Sequence, residues 1–164
     1  MRYIASQSIV VLVCVALSLG ACGWRLQGTE RLSQTMTVIY VDADDRYTDF
    51  NRALRDRLRA AGAKVTERKE DATAVVRIIK DQSGQRVLSV SARNTPEEYE
   101  VFYTVEYSVA SGSTELIPRQ PLEATRDYSY DTTAVLAKQR EQSILREALA
   151  QDLAAQVLRR LASL

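Results

Sequence analysis

The stretch EYEVFYTVEYSV, Glu98 to Val109, decides the fold. Tyr99, Val101, Tyr103, Val105, Tyr107 and Val109 fall on one face of an extended chain, and Glu98, Glu100, Thr104, Glu106 and Ser108 fall on the other with Phe102. Side chains alternate across a strand, so this period of two predicts a sheet with one buried face. A row of tyrosines could stack a ligand, but its alternation with valine fits a core against helices, with hydroxyls reaching the edge.

Outward from this strand, Thr35 to Val41, Thr73 to Lys80, Val87 to Arg93 and Pro121 to Tyr130 also read as strands. Ala110 to Gln120 carries turn residues and is expected to be a loop. A first helix is predicted over Thr48 to Ala61, capped by Thr48 or Asp49, with Phe50, Leu54 and Leu58 on one face and Gly62 as a left-handed stop. The last helix runs from about Thr132 or Thr133 to Leu161. Its stripe is Leu145, Leu149, Leu153, Val157 and Leu161, widened by Ile144, Ala148 and Leu158. These elements give an α+β, two-layer sandwich: two helices on one face of a four- to five-stranded sheet.

Charges on the helices have ordinary explanations. Arg52, Arg55 and Arg59 could meet an anionic glycolipid, but their spacing and the nearby Asp56 fit a solvated face. Arg159 and Arg160 complement the dipole of the last helical turn. The acidic run Asp42 to Asp45 lacks the glycine and distal glutamate of a calcium loop and reads as a solvated turn. No metal site is expected.

The chain begins with one charged residue in its first eight, Arg2, and then the apolar run IVVLVCVALSL, Ile9 to Leu19. That run is too short to span a bilayer, which takes about 20 apolar residues, and its layout is that of a secretory signal. It ends Leu19-Gly20-Ala21-Cys22, an arrangement similar to the bacterial lipoprotein box. The resemblance implies cleavage before Cys22, a diacylglyceryl thioether on its sulfur and acylation of the new amine. Stable anchoring needs at least two acyl chains, and such processing supplies three. Residue 23 is Gly rather than Asp, and the resemblance to enterobacterial lipoprotein sorting signals implies transfer to the outer membrane. The expected organisation is a signal peptide over 1–21, a lipid-anchored tether over 22–34 and a single domain over 35–164.

Loss of Arg2 from 22 basic residues leaves 21 against 21 acidic ones. A neutral chain argues against general nucleic-acid binding, which needs a basic stripe. Cys14 would leave with the signal and Cys22 would be alkylated, so no disulfide framework is expected. The chain has no histidine, which removes Ser-His and Cys-His nucleophile pairs and the commonest transition-metal ligand. There is no Ser-x-x-Lys, Walker loop, GxGxxG or CxxC motif, and Glu97 and Glu98 point to opposite faces of an extended chain. These features argue against an enzyme, and no cofactor is implied.

Three segments carry a family resemblance: CGWRLQG at 22–28, LSVSARNTPEEYEVFYTV at 88–105, and RDYSYDTTAVLAKQREQ at 126–142 leading into DLAAQVLRRL. In order and spacing the chain resembles the LPS-assembly lipoprotein LptE family over nearly its whole mature length. Gln27 departs from the basic residue common there. The resemblance implies a non-enzymatic role at the outer membrane of a Gram-negative bacterium. Members bind and plug the LptD β-barrel, aid its assembly and assist lipopolysaccharide insertion into the outer leaflet. It also implies that Arg93 and Lys138 lie near lipopolysaccharide; arginine suits phosphate bidentately and lysine acts as a point charge. The residues alone also admit an accessory lipoprotein of another lipid-transport or secretion complex, bound to a periplasmic partner, or a hydrolase using only carboxylates.

Replacing Cys22 with alanine should abolish incorporation of a palmitate analogue, because the other cysteine, Cys14, lies inside the apolar run of the expected signal peptide and no cysteine follows Cys22. Labelling of the Cys22→Ala protein at the wild-type level would remove the lipoprotein assignment.

Overall fold

The computed structural model describes residues 32–33, 36–130 and 135–164. The signal peptide, Cys22 and most of the tether lie outside the described residues, as do Thr35 and the first residues expected of the last helix. Five strands form one sheet in the order β2-β1-β3-β4-β5. They are β1 (Val38–Asp42), β2 (Lys64–Thr66), β3 (Ala74–Val90), β4 (Pro96–Ser111) and β5 (Thr114–Ser129). The helices are α1 (Asp49–Ala60) and α2 (Val135–Ala162), with a 3-10 turn at Lys69–Asp71. Strand β1 is parallel to both β2 and β3, whereas β3, β4 and β5 form an antiparallel meander. This is the expected α+β sandwich, built on a mixed sheet.

The alternation in β4 carries through to burial. Val101, Tyr103, Val105, Tyr107 and Val109 are all buried, and the residues between them are partly exposed. They meet Phe50, Leu54 and Leu58 of α1 and Leu149, Leu153, Val157 and Leu161 of α2, all at 0 % exposure. Each such leucine contributes roughly 1.5–3 kcal/mol by leaving water. Ala150 and Ala154 are equally buried, and small side chains let packed helices approach closely.

Strand lengths differ in a way the sequence did not reveal. At about 3.3 Å per residue the three meander strands run some 50 Å. Strand β1 pairs with β3 only from Ala74 to Arg77. Beyond Arg77, β3 has β4 on one side and, among the described residues, no strand on the other. The molecule therefore has a proximal half with both helices and all five strands, and a distal half of three strands and the start of α2.

Three local readings are corrected. The break expected between Lys80 and Val87 is absent, because Gly84 is a strand residue paired with Phe102. A Cβ at position 84 would lie 2.6 Å from the Phe102 ring, so glycine makes room for an aromatic side chain laid across the neighbouring strand. The loop expected over Ala110 to Gln120 is mostly strand, with the turn confined to the residues around Gly112, whose φ is 56°. Pro118 and Pro121 are tolerated because β5 is an edge strand. Strand β2 was not expected; with only Val65 apolar in three residues it shows no period.

Helix α1 is capped as the sequence indicated. Thr48 Oγ1 accepts from Asn51 N at 3.1 Å, and at the other end Gly62 (φ 90°) and Ala63 donate back to Arg59 O and Leu58 O. A polar network adds a second tie. Thr48 donates to Asp81 of β3 at 2.6 Å, Tyr103 donates to the other Asp81 oxygen at 2.8 Å, and Phe50 N donates to the Tyr103 hydroxyl at 3.2 Å. Two amides at the helix start thus bind hydroxyls that one carboxylate orients. Burial pushes the Asp81 carboxyl up, opposed by the hydrogen bonds from Thr48 and Tyr103.

Two side chains depart from their expected places. Ile144 is 66 % exposed and does not widen the apolar stripe. Arg55 belongs to no solvated face: it is buried and paired with Glu67. Leu153→Asp should lower unfolding stability by more than about 3 kcal/mol, since it places a carboxylate in the centre of the core, whereas Ile144→Asp should change it by less than about 0.5 kcal/mol. Chemical denaturation of both variants checks this, and equal effects would mean that the two faces of α2 are wrongly assigned.

Candidate functional site

Both side chains that the resemblance implies in ligand contact, Arg93 and Lys138, lie toward the distal end. The turn between β3 and β4 is built by Ser91: its N–H donates to Thr95 O at 2.8 Å, and its hydroxyl accepts from Arg93 N and Thr95 N. Asn94 takes the left-handed conformation, φ 58°, that the reversal needs and that asparagine tolerates. Arg93 is thereby held at the tip, exposed, and among the described residues its guanidinium has no ion-pair partner. A cleft of about 570 Å³ beside it is lined by Ser91, Ala92, Arg93, Thr95, Pro96, Glu97 and Tyr130.

Lys138 lies in the first turns of α2. Its Nζ stands 5.9 Å from the centre of the Tyr128 ring and 2.8 Å from Glu141 Oε2. Its side chain keeps only 20 % exposure, so the cation is partly desolvated and already has one carboxylate beside it. Tyr128 stacks on Tyr99 at 5.8 Å between ring centres, and Tyr130 meets Tyr99 edge-on at 5.2 Å. Tyr128 also donates to Gln85 at 2.9 Å, and burial pushes its phenol up. Arg93 and Lys138 do not touch; a run of three tyrosines connects the cleft beside one to the ammonium of the other.

This end is also apolar. Val87, Leu88, Val90, Val135 and Leu136 are 43–78 % exposed, and all lie on the distal part of β3 or the start of α2. Exposed apolar groups so concentrated are characteristic of a surface that meets another molecule. The face of the meander away from the helices is polar instead. Arg86 pairs with Glu100 and stands 5.7 Å from the Phe102 ring centre, and Arg119 holds Glu106. The Asp42 to Asp45 run is held by local contacts: Arg77 pairs with Asp42, and Tyr47 N donates to Asp45.

The family model for lipopolysaccharide-assembly LptE matches residues 36–161. The chain belongs to the LptE family. Among its relatives is an LPS-assembly lipoprotein LptE from Pectobacterium atrosepticum, 26 % identical over 156 residues, covering 93 % of this chain and 83 % of the relative. Another, from Yersinia enterocolitica, is 24 % identical over 155 residues, covering 93 % and 74 %. The crystal structure of rare lipoprotein B from Shewanella oneidensis superposes with a TM-score of 0.67 at 31 % identity, covering 77 % of this chain and 94 % of that one. The solution structure of an uncharacterized lipoprotein B from Nitrosomonas europaea gives 0.71 at 25 % identity, covering 86 % and 91 %.

In this LptE family member, Tyr99 was legible as part of the β4 row, but Tyr128, Tyr130, Gln85 and Glu141 were not singled out. The signal for the first two is the alternation Tyr128-Ser129-Tyr130, which puts both rings on the face that Tyr99 occupies. Nothing in the sequence marks Gln85 or Glu141, because their roles depend on strand register and on where α2 crosses the sheet.

Proposed function

We propose that this chain is a non-catalytic outer-membrane lipoprotein of lipopolysaccharide assembly, tethered through Cys22 and residues 22–34, with the domain from residue 35 onward seated in the lumen of an LptD-type β-barrel. Family membership across 36–161 is the observation that carries the reading. The distal half adds support: its half-exposed valines and leucines, and the edge of β3 that no strand among the described residues covers, suit a molecule completed by a partner. A net charge of zero after removal of 1–21 suits a plug better than a nucleic-acid-binding protein.

In this reading Arg93 and Lys138 engage lipopolysaccharide phosphates. Arg93 projects from a rigid turn with its full donor fork available for a bidentate contact. Lys138 would act as a charge poised beside aromatic rings, with Glu141 as the carboxylate that a phosphate must compete with. The tyrosines offer flat, weakly polar surface between them on which the hydrophobic part of a glycolipid can rest.

Replacing Arg93 and Lys138 together with acidic residues should weaken lipopolysaccharide binding by the purified protein about tenfold or more, since a charge-assisted hydrogen bond is worth roughly 1.5–3 kcal/mol and exposure reduces that. Thermal unfolding should stay near wild type. The same replacements at Arg159 and Arg160, in the last turn of α2, should have a smaller effect. Equal losses from both pairs at several ionic strengths would leave general charge attraction and no specific site.

A further inference from the structure

A second cluster of cations lies on α1, sharing no residue with the distal end. A cleft of about 480 Å³ is lined by Arg46, Tyr47, Arg52, Arg55, Asp56, Arg59 and Glu67. Arg52, Arg55 and Arg59 come from one side of α1 at spacings of three and four, Arg46 and Tyr47 from the loop before the helix, and Glu67 from the segment after β2. Among these lining residues, four guanidiniums face two carboxylates.

How those charges pair is informative. Glu67 is shared: one oxygen takes Arg46 at 2.6 Å and the other takes Arg55. Arg59 pairs with Asp56 at 2.9 Å, and Arg52 with Asp49, which is itself divided between Arg52 and Arg146. Each guanidinium has five N–H donors, and each of these four reaches a carboxylate through a single nitrogen. Among the described residues, most of the side-chain donor capacity around the cleft has no carboxylate partner. The Arg55 side chain is only 10 % exposed, and a cation so buried requires an anion beside it. The Glu67 side chain that supplies it is 58 % exposed, so it can give up its place where another anion takes over the pairing of Arg55.

We propose that this cleft is a binding site for a phosphate-class dianion, and that Glu67 is its internal occupant, bridging Arg46 and Arg55 until a phosphate takes its place. A phosphoryl group presents three oxygens where the carboxylate presents two, so it can span Arg46 and Arg55 and still reach Arg52 or Arg59. The inference goes beyond the role proposed above and does not depend on it. A free phosphate and a phosphomonoester lipid headgroup share the chemistry that the cleft recognises.

The test uses the full chain in neutral detergent, with two probes: inorganic pyrophosphate followed by calorimetry, and phosphatidylcholine vesicles doped with phosphatidic acid followed by co-sedimentation. Glu67→Gln removes the internal competitor and should tighten binding roughly three- to tenfold, while Arg52→Gln with Arg59→Gln should weaken it by a similar factor. Pyrophosphate or the doped vesicles should also raise the thermal midpoint of Glu67→Gln more than that of wild type, because the anion re-pairs Arg55. Arg159→Gln with Arg160→Gln, equal in charge change, should leave binding unaltered. A response with pyrophosphate assigns the site to free phosphates, and a response with vesicles alone assigns it to a headgroup. If Glu67→Gln only loses stability and binds neither probe more tightly than wild type, the cleft is a set of structural ion pairs and the proposal fails.

Discussion

A strand of sixteen residues with apolar side chains on one face has to be covered along its whole length, and the rest of this structure follows from how that is done. The proximal half of β4 is covered twice, by α1 and by the last half of α2, and the side chains facing them there are almost wholly removed from water. Distally, among the described residues, only the first half of α2 lies over the sheet, and there Tyr99, Tyr128 and Tyr130 pack against one another. The same constraint fixes the position of α1. At Asp81, four residues past Arg77, where the pairing of β3 with β1 ends, the helix start is tied through Thr48 and Tyr103.

Much of this was legible because it rests on period. The alternation of β4 and the four-residue recurrence of α2 name their own buried faces, and Thr48 and Gly62 mark the two ends of α1 by their chemistry. What escaped depends on neighbours distant in sequence. Gly84 has the composition of a turn, yet it is a strand residue because Phe102 lies across it. Pro118 and Pro121 suggest a loop, yet the position of β5 at the sheet edge makes their missing donors harmless. Arg55 carries the pattern of a solvated face, but a carboxylate twelve residues away draws it inward.

For Arg93 and Lys138, which the resemblance implies in ligand contact, the sequence carried no arrangement. Arg93 and Lys138 stand out as basic groups in matching places, but only the pairing of β5 with β4 puts Tyr128 and Tyr130 around Tyr99 between them. One end of the molecule therefore combines a guanidinium that has no ion-pair partner among the described residues, held on a hydrogen-bonded turn, with a partly desolvated ammonium, three contacting tyrosines and a fringe of exposed valines and leucines. That combination suits an amphiphile with anionic groups, and it suits a surface completed by a second protein. The lipopolysaccharide-assembly role proposed for this LptE family member uses both properties.

The central claim is that a self-sufficient proximal core carries a distal half completed by a barrel partner, and amide hydrogen exchange tests it most directly. In the isolated chain, peptides from the proximal half of β3 and β4, α1 and the last half of α2 should exchange slowly, and those from Asp81 to Val90 and the first turns of α2 should exchange faster. Binding to the barrel should slow the distal peptides strongly and leave the proximal ones nearly unchanged. Uniform protection in the isolated chain, or a partner footprint confined to the proximal half, would contradict the account.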